Sequence, residues 1–358
     1  MAKFALRLEA RPAPSRLMSW LSPVLAVLLT VLCGALLFIA LGHDPLAGLA
    51  VFFVEPLRDA HGWSELGLKV APLLLIAVGL AICFRANIYN IGAEGQLTLG
   101  AICGGAAALY LDDGVGGAAI IGVSLVAGMA GGMAWAGLVA WLRDRYNASE
   151  ILVSLMLVYI AQLLLSYLVY GVLRDPEGFN FPQSKLLSDG LLLPMVISDT
   201  RLHVGIVFAL LASLGGWLYL SRSIAGFRLR VGGMAPAAAR YAGFSSRKTL
   251  WSSLLICGAL SGLAGACEVL GPMGQLTPTV SPGYGFAAII VAFVGRLHPV
   301  GVIFSSFVMA LFYIGGELAQ SRLGLPSAIT GVFQGILLFA LLACDVLIQY
   351  KLRWRKHG

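Results

Sequence analysis

The stretch Phe84–Ala101, FRANIYNIGAEGQLTLGA, interrupts a chain that is otherwise strongly apolar. It carries one arginine, two asparagines, one glutamate and one glutamine, with glycines between them. A charged side chain at the centre of a bilayer costs about 2.5–3.5 kcal/mol on insertion scales, so such residues usually face a cavity or a neighbouring helix. The stretch therefore predicts a cluster of polar side chains inside a membrane domain.

Composition places the protein in the membrane class. Of its 358 residues, 59% are hydrophobic and only 11% are charged, and the mean hydropathy is +0.89. Soluble proteins contain about 25% charged residues. The six cysteines form no CxxC pair, so neither a metal site nor a disulfide framework is predicted. All six lie in apolar runs: Cys33, Cys83, Cys103, Cys257, Cys267 and Cys344.

Ten segments approach the roughly 20 apolar residues that a helix needs to cross a bilayer. We therefore predict an all-α polytopic membrane protein with about ten transmembrane helices. The eighth segment is short, and the sequence leaves open whether it crosses completely. The ten segments are 21–41, 66–83, 91–111, 118–142, 151–172, 203–220, 249–270, 284–295, 299–316 and 326–348.

Charge placement gives the orientation. With the N-terminus in the cytoplasm, ten crossings place 18 of the 24 basic residues on the inner side, as the positive-inside rule requires. Cytoplasmic N- and C-termini follow, and the net charge of +7 needs no nucleic acid to explain it. We expect one membrane-embedded domain over 1–358, with a cytoplasmic tail at 1–20 and a cytoplasmic loop at 221–248.

The inner loop contains a short helix signal, APAAARYAGF (Ala235–Phe244). Pro236 suits a first helical turn and Gly243 suits the position just past a helix end. A helix this short is marginal in water without support. Two supports remain open from spacing alone: the helix lies on lipid headgroups, or it is a rigid peg that seats in a cleft of another protein.

The wider stretch AGFRLRVGGMAPAAARYAGF (225–244) resembles the coupling segment of permease subunits in the sugar and nucleoside branch of bacterial ABC importers. That branch carries a pattern similar to FGxRLRAVGxNPxAARxAGI. This chain departs from it at Met234 and Ala235, which replace a polar residue and an asparagine, and at Ala237, where glutamate is common.

Three further stretches resemble motifs of the same branch and occur in the same order. They are NIGAEGQ (90–96), NASEILVSLMLVYIA (147–161) and SPGYGFAAIIVAFVGRLHPVG (281–301). Val158 stands where the branch usually has asparagine, which weakens any polar role at that position. Together the four motifs identify the chain as similar to these permeases far more strongly than any one motif does.

The resemblance implies a transport subunit that is not an enzyme and holds no cofactor. No GxxxxGK[ST] phosphate loop occurs in the sequence, so ATP would be bound by a separate cytoplasmic ATPase. The other implied partners are a second permease subunit, expected as a paralogue in a heterodimer, an external substrate-binding lipoprotein, and the lipid of a bacterial inner membrane. The implied ATPase contact consists of Pro236, Ala238, Ala239, Arg240, Tyr241, Ala242 and Gly243.

Seven polar residues are candidates for the transport pathway: Asn87, Asn90, Glu94, Gln96, Thr98, Glu268 and Gln275. If residues 87–98 form one helix, four of these side chains share one face within roughly 80° of arc. A broken or re-entrant helix start, capped by Asn87 or Asn90, is the alternative. Alternatively, Glu94 only holds helices together, by pairing with Arg85 or with backbone amides.

The expected substrate is a nucleoside, and simple sugars such as ribose are the near alternative. An ion-coupled secondary transporter would need carboxylates near mid-membrane, for which Glu94 and Glu268 are the candidates. An intramembrane enzyme is disfavoured, because the sequence contains no HExxH, GxSxG or paired-aspartate pattern.

Overall fold

The computed structural model describes residues 4–13, 15–112, 117–198 and 200–356. This part of the chain is mainly helical, which confirms the predicted all-α fold. In chain order the helices are α1 (Arg16–Ala40), α2 (Pro45–Leu49), α3 (Ala60–Arg85), α4 (Ala93–Leu111), α5 (Gly117–Tyr146), α6 (Glu150–Tyr170), α7 (Gly205–Arg222), α8 (Ile224–Met234), α9 (Pro236–Tyr241), α10 (Ser246–Glu268), α11 (Tyr284–Val294), α12 (Pro299–Leu323) and α13 (Ile329–Gln349). Two strands, β1 (Phe4–Ala10) and β2 (Tyr350–Lys356), complete the regular elements.

All ten predicted apolar segments lie on helices, namely α1, α3 to α7 and α10 to α13. Among the described residues, eight helices are long and apolar enough to cross a bilayer: α1, α3, α5, α6, α7, α10, α12 and α13. The eighth predicted segment forms α11, which has 11 residues and is therefore about 16 Å long. This is roughly half of a 30 Å hydrocarbon core, so α11 does not cross as a helix.

Contacts divide the chain into two compact units, Met1–Gly62 with Leu311–Gly358, and Trp63–Ala310. The prediction of one domain over 1–358 stays a prediction. In the first unit α1 packs along α13. The buried centre of this unit is aromatic, and the rings of Phe52 and Phe333 stack with centroids 4.2 Å apart.

The first unit also holds a feature that the sequence analysis missed. β1 pairs antiparallel with β2, and the register joins Phe4 to Lys356 and Ala10 to Tyr350. The stretch 4–10 was expected to be part of a cytoplasmic tail, and neither strand was predicted. Pairing between segments more than 300 residues apart leaves no local pattern to find.

The second unit is organised around α4, α5 and α10, which pack through glycines. A Cβ atom on Gly132 of α5 would lie 2.1 Å from the carbonyl oxygen of Gly258 on α10. A Cβ atom on Gly100 of α4 would lie 2.3 Å from the backbone of Gly262. Small residues let membrane helices approach until their backbones touch, and these three helices depend on that freedom.

The long connection between α6 and α7 folds back onto the second unit. Its backbone bonds to the segment after α10, with Leu193 N–H donating to Leu270 O at 2.7 Å. Near its end, Arg201 forms a two-point ion pair with the buried carboxylate of Glu65 on α3, with Nε and Oε1 3.0 Å apart. These two contacts therefore hold the connection against α3 and the segment after α10.

Candidate functional site

The quoted stretch is a break between two helices. α3 ends at Arg85, α4 begins at Ala93, and residues 86–92 are not helical. Asn87 is exposed and has a φ of 59°, in the left-handed region that favours asparagine and glycine. The alternative of one continuous helix over 87–98 is wrong, and a broken helix start is what the structure contains. Its N-cap is Gly92 rather than Asn87 or Asn90, and the Gly92 N–H donates to Asn90 Oδ1 at 3.0 Å.

The amide side chains of Asn90 in the break and Gln96 in α4 hydrogen-bond to each other. Asn90 and Gln96 are completely buried. Asn90 Nδ2 donates to Gln96 Oε1 at 3.2 Å, and Gln96 Nε2 donates to Asn90 Oδ1 at 3.3 Å. Asn90 Nδ2 also lies 3.3 Å from the Cys257 sulfur on α10. The pair ties the start of α4 to α10.

Glu94 joins α4 to the start of the short helix α11. Its side chain is buried, and Oε2 accepts a hydrogen bond of 2.6 Å from the Gly285 N–H. The Ser281 side chain and the Gly283 backbone lie next to this carboxylate. An anion at a helix N-terminus is favourable, because the free N–H groups there carry partial positive charge. Of the partners that the sequence left open, the backbone amides hold Glu94.

Arg85 takes a different partner. Its Nε donates to the Leu297 carbonyl oxygen at 2.7 Å, just beyond the other end of α11. Beside it, the rings of Phe84 and Phe293 stack with centroids 5.1 Å apart. α11 is thus a half-length helix that runs from the Glu94 carboxylate to the end of α3. Broken helices that meet end-on in this way are typical of transporter interiors.

The other pathway candidates fall in two places. Thr98 is buried beside Glu94 and donates to its carbonyl oxygen at 2.9 Å. Glu268 is buried at the end of α10, under the electrostatic influence of Lys69 from α3. Gln275 lies half-buried in the connection between α10 and α11. A pathway role for each of these residues stays a prediction.

Two residues in this region were missed by the sequence analysis. Lys69 Nζ lies 5.9 Å from the centroid of the Tyr284 ring at the start of α11. It is a basic residue within the predicted span 66–83, and that position alone is a signal for a functional or paired side chain. Ser281 accepts from the N–H groups of Gly283 and Tyr284, and a serine before a short helix carries no comparable signal.

The predicted short helix of the inner loop is present as α9. It begins at Pro236 and is closed by Gly243, whose φ is +76°. The N–H groups of Gly243 and Phe244 bond back to Arg240 O and Ala239 O at 3.0 and 2.9 Å. Both terminal residues therefore act as the sequence predicted.

α9 presents nearly all of its predicted contact residues to solvent. Ala239 is buried and anchors the helix, whereas Tyr241 is 98% exposed. The remaining exposed members are Pro236, Ala238, Arg240, Ala242 and Gly243. The adjoining Met234 is 86% exposed as well. Exposed apolar side chains beside an arginine suit a contact with another surface.

Ion pairs join the helix ends next to α9. Arg247 Nε lies 2.7 Å from Asp144 Oδ2, and Trp251 Nε1 donates to the same oxygen at 3.1 Å. Arg143 Nε lies 3.3 Å from Glu150 Oε2. These contacts join the end of α5 to the starts of α6 and α10.

One buried histidine lies in the connection before α7. Nδ1 of His203 accepts from Gly205 N–H at 3.0 Å, and its Nε2 is buried with no hydrogen-bond partner among the described residues. Burial lowers the pKa of His203 to about 4. The side chain is therefore held neutral at physiological pH.

The sequence was compared with known families and proteins. A family model described as "Branched-chain amino acid transport system / permease component" matches residues 64–342. The glucose ABC transporter permease protein TsgB13 of Haloferax volcanii is 31% identical over 97% of this chain and 93% of its own length. The guanosine ABC transporter permease protein NupP of Bacillus subtilis is 31% identical over 90% of this chain and 93% of its own. A second guanosine permease protein of that organism, NupQ, is 28% identical over 69% of this chain and 80% of its own.

Proposed function

This chain belongs to the family of branched-chain amino acid transport system permease components, and from that premise we propose that it forms the pathway of an ATP-driven nucleoside importer. It is an ABC transporter permease of the sugar and nucleoside type, a multi-pass membrane subunit that carries out no bond chemistry. The proposal adds the substrate, the partners and the route of coupling.

One observation carries the coupling part of the proposal. α9 is anchored by the buried Ala239 and lies next to helix ends that the Asp144–Arg247 and Arg143–Glu150 ion pairs join, while Tyr241 and Arg240 are exposed to solvent. Because α9 is short and packed through Ala239, a displacement of α9 by a partner would be passed to the neighbouring helices. We place the contact of a cytoplasmic ATPase on this helix, so that ATP binding and hydrolysis by that partner move α8 and α10.

The half-length helix α11 supplies a second support. It meets Glu94 end-on and is not continuous across the membrane. Substrate sites of transporters commonly lie where such broken helices meet. In this proposal the polar groups around Glu94 and Glu268 hold the shape of the pathway wall.

The proposed partners complete the machine. Besides the ATPase, which binds the ATP, we expect a second permease subunit and an external substrate-binding lipoprotein. NupP and NupQ are two permease proteins of one organism with the same named substrate, which supports a heterodimer of paralogues here. The proposed location is the inner membrane of a bacterial cell.

The choice of a nucleoside rests on relatives that are named for guanosine, at 31% and 28% identity. Sugar import is the second candidate, because TsgB13 is named for glucose and its match covers more of this chain. Both substrates carry hydroxyl-rich rings, so the same polar wall would suit either.

Uptake assays decide between these candidates. The chain is reconstituted with its ATPase, second permease and binding protein, and labelled guanosine, uridine, ribose and glucose are supplied with and without ATP. ATP-dependent uptake of guanosine or uridine alone is expected. Uptake of glucose or ribose alone would show that the substrate is a sugar and not a nucleoside.

Two variants test the coupling route in the same system. Arg240→Glu reverses the charge at the end of α9, and Pro236→Gly loosens its first turn. Both are expected to lower ATPase association and uptake together. Unchanged association in both variants would overturn the assignment of α9, and solute transport by the chain alone would overturn ATP coupling altogether.

A further inference from the structure

A cavity of about 340 Å³ lies behind α9. It is bounded by the end of α5, by α8 and α9, and by the first turn of α10. Its charged lining is four arginines and one aspartate: Arg143, Arg228, Arg240, Arg247 and Asp144. Pro236, Ala239 and Arg240, which belong to the proposed ATPase contact, form one wall of this cavity.

The positive charges of the lining exceed the negative ones. Asp144 is engaged by Arg247 at 2.7 Å, and Glu150, next to the cavity, is engaged by Arg143 at 3.3 Å. Within the described residues, Arg228 and Arg240 have no ion-pair partner. Two arginines therefore remain uncompensated after both carboxylates are counted.

One of these arginines is held in place. The guanidinium carbon of Arg228 lies 5.6 Å from the centroid of the Phe244 ring, which follows α9 and also lines the cavity. Stacking on an aromatic ring restrains a guanidinium group and leaves its N–H donors free to bind. Arg228 is exposed and lines the cavity, and its contact with Phe244 restrains the guanidinium group there.

The rest of the lining adds hydrogen-bonding groups. Ser245, Ser246, Thr249 and Asn147 also line the cavity. Ser245 and Ser246 stand at the N-terminal end of α10, where the backbone N–H groups carry partial positive charge. A multi-oxygen anion suits this set better than a cation or a neutral ring.

The size of the cavity narrows the class of anion. Small-molecule pockets measure about 300–1,000 Å³, and one carboxylate from a docked protein would fill only a fraction of this volume. A phosphate group offers several oxygens to the arginine forks, and its substituent would occupy the remaining space. Arginine is the residue best matched to phosphate geometry.

We propose that this cavity binds a phosphate-bearing anion, which is the headgroup of an anionic phospholipid or a soluble phosphate ester. A bound phosphate would join α8 and α9 to α5 and α10, and so would stiffen the coupling segment. Exposed aromatic residues at the end of α5, Trp141 and Tyr146, mark the depth of lipid headgroups. A lipid headgroup at this depth can reach the cavity from the membrane.

The test uses the purified full chain without any ATPase, so its outcome is independent of the coupling assignment and of the transported substrate. Short-chain phosphatidylglycerol, short-chain phosphatidylcholine and glycerol phosphate are each titrated by calorimetry. Saturable binding of phosphatidylglycerol but not phosphatidylcholine is expected. If glycerol phosphate binds equally well, the ligand is a soluble phosphate ester; if it does not, the ligand is a lipid headgroup.

Two variants and one control locate the site. Arg228→Gln is expected to weaken the anion about tenfold, because it removes charge-assisted hydrogen bonds, and Arg228→Lys is expected to weaken it less. Arg145→Gln is the control, because Arg145 is an exposed neighbour on α5 that does not line the cavity.

Equal weakening by Arg145→Gln and Arg228→Gln would overturn the proposal, as would the absence of saturable binding. If Arg228→Gln does not yield folded protein, Arg228→Lys decides, and its unchanged affinity would overturn the site. Loss of ATPase association in Arg228→Gln, with no anion binding in the parent chain, would assign the cavity to a protein contact instead.

Discussion

Polar side chains are buried and hydrogen-bonded at the junction between the start of α4 and the N-terminus of α11, around Glu94. In the segment around Arg240 they are exposed to solvent. At the junction, Asn90, Glu94 and Gln96 are at most 2% exposed, and each is hydrogen-bonded within the chain. In the segment around Arg240, the side chains of Arg240 and Tyr241 are exposed and form no hydrogen bond within the part of the chain that the structure describes.

The difference follows from the two solvents. Lipid offers no hydrogen bonds, so every polar group at membrane depth must be satisfied by the protein itself. Water satisfies an exposed arginine at no cost, which leaves its N–H groups available to a partner or a ligand. The buried polar groups of the junction are therefore bonded within the chain, and exposed polar groups beside small apolar side chains are available for binding.

The largest expected effect tests the packing that encloses the junction. Gly132→Leu places a side chain where a Cβ atom already lies 2.1 Å from the Gly258 carbonyl oxygen. Overpacking costs about 1–3 kcal/mol even in a relaxed core, and backbone atoms cannot move aside, so little folded protein is expected. The yield and thermal midpoint of detergent-purified protein measure this.

Gly122→Leu on the same helix is the control, because its Cβ atom would meet nothing within 4 Å. We expect its thermal midpoint to match the parent. Equal damage by both variants would show that the close approach of α5 and α10 is not what holds the second unit.

The next effect concerns Glu94 itself. Glu94→Ala leaves the Gly285 N–H buried without this acceptor, at an expected cost of about 3 kcal/mol in unfolding free energy. Glu94→Gln keeps one carbonyl oxygen and should lose about 1 kcal/mol. Thermal unfolding of both variants gives the stability, and uptake kinetics give the substrate affinity. A higher KM for uptake with unchanged thermal stability would identify Glu94 as a ligand-binding residue. It would contradict the view that the buried polar groups serve only the fold.

At the exposed region, Tyr241→Ala should weaken ATPase association by about 2 kcal/mol, the size typical of an aromatic hot spot. It should leave thermal stability unchanged, because the ring is 98% exposed. Phe179→Ala removes another exposed ring, on the connection between α6 and α7, and serves as the control. Co-purification with the ATPase measures the change. An equal effect of the two variants would contradict a specific contact at α9.

The smallest expected effect is a pH dependence of stability caused by His203. Its Nδ1 is hydrogen-bonded, whereas its buried Nε2 has no hydrogen-bond partner among the described residues. Burial holds the pKa of His203 at about 4, below the value near 6.5 of an unfolded chain. The unfolded state therefore binds more protons between these values, and stability should fall as the pH drops below about 6.5 toward 4. The loss should be about 1 kcal/mol near pH 6.

Thermal midpoints at several pH values check this, with His203→Gln as the non-titrating variant and His61→Gln as the control at an exposed histidine. The pH dependence should shrink in His203→Gln alone. If it persists there, a different group titrates, and His203 is not the buried polar side chain that weakens the fold in acid.

Several features of this protein could be predicted from residue order alone. The apolar runs located the helices, because length and hydropathy decide which segments leave water. Pro236 and Gly243 fixed both ends of α9, because each restricts or frees its own backbone. The missing phosphate loop pointed to a separate source of ATP chemistry.

Other features could not be predicted, because they join residues that are distant in sequence. The partner of Glu94 lies 191 positions away at Gly285. The strands β1 and β2 pair across almost the whole chain. Lys69 was visible as a charge in an apolar span, but its position over Tyr284 was not.

By itself the sequence determined which segments are helical and apolar, and that the inner loop holds a short helix between Pro236 and Gly243. Both properties arise from neighbouring residues and from the free energy of leaving water. Only the tertiary structure decided that the polar stretch at 84–101 closes on the N-terminus of α11, and that arginines from α5, α8, α9 and α10 surround one cavity. Hydrogen bonds and charge clusters of this kind depend on distances between helices, which packing sets and local sequence does not encode.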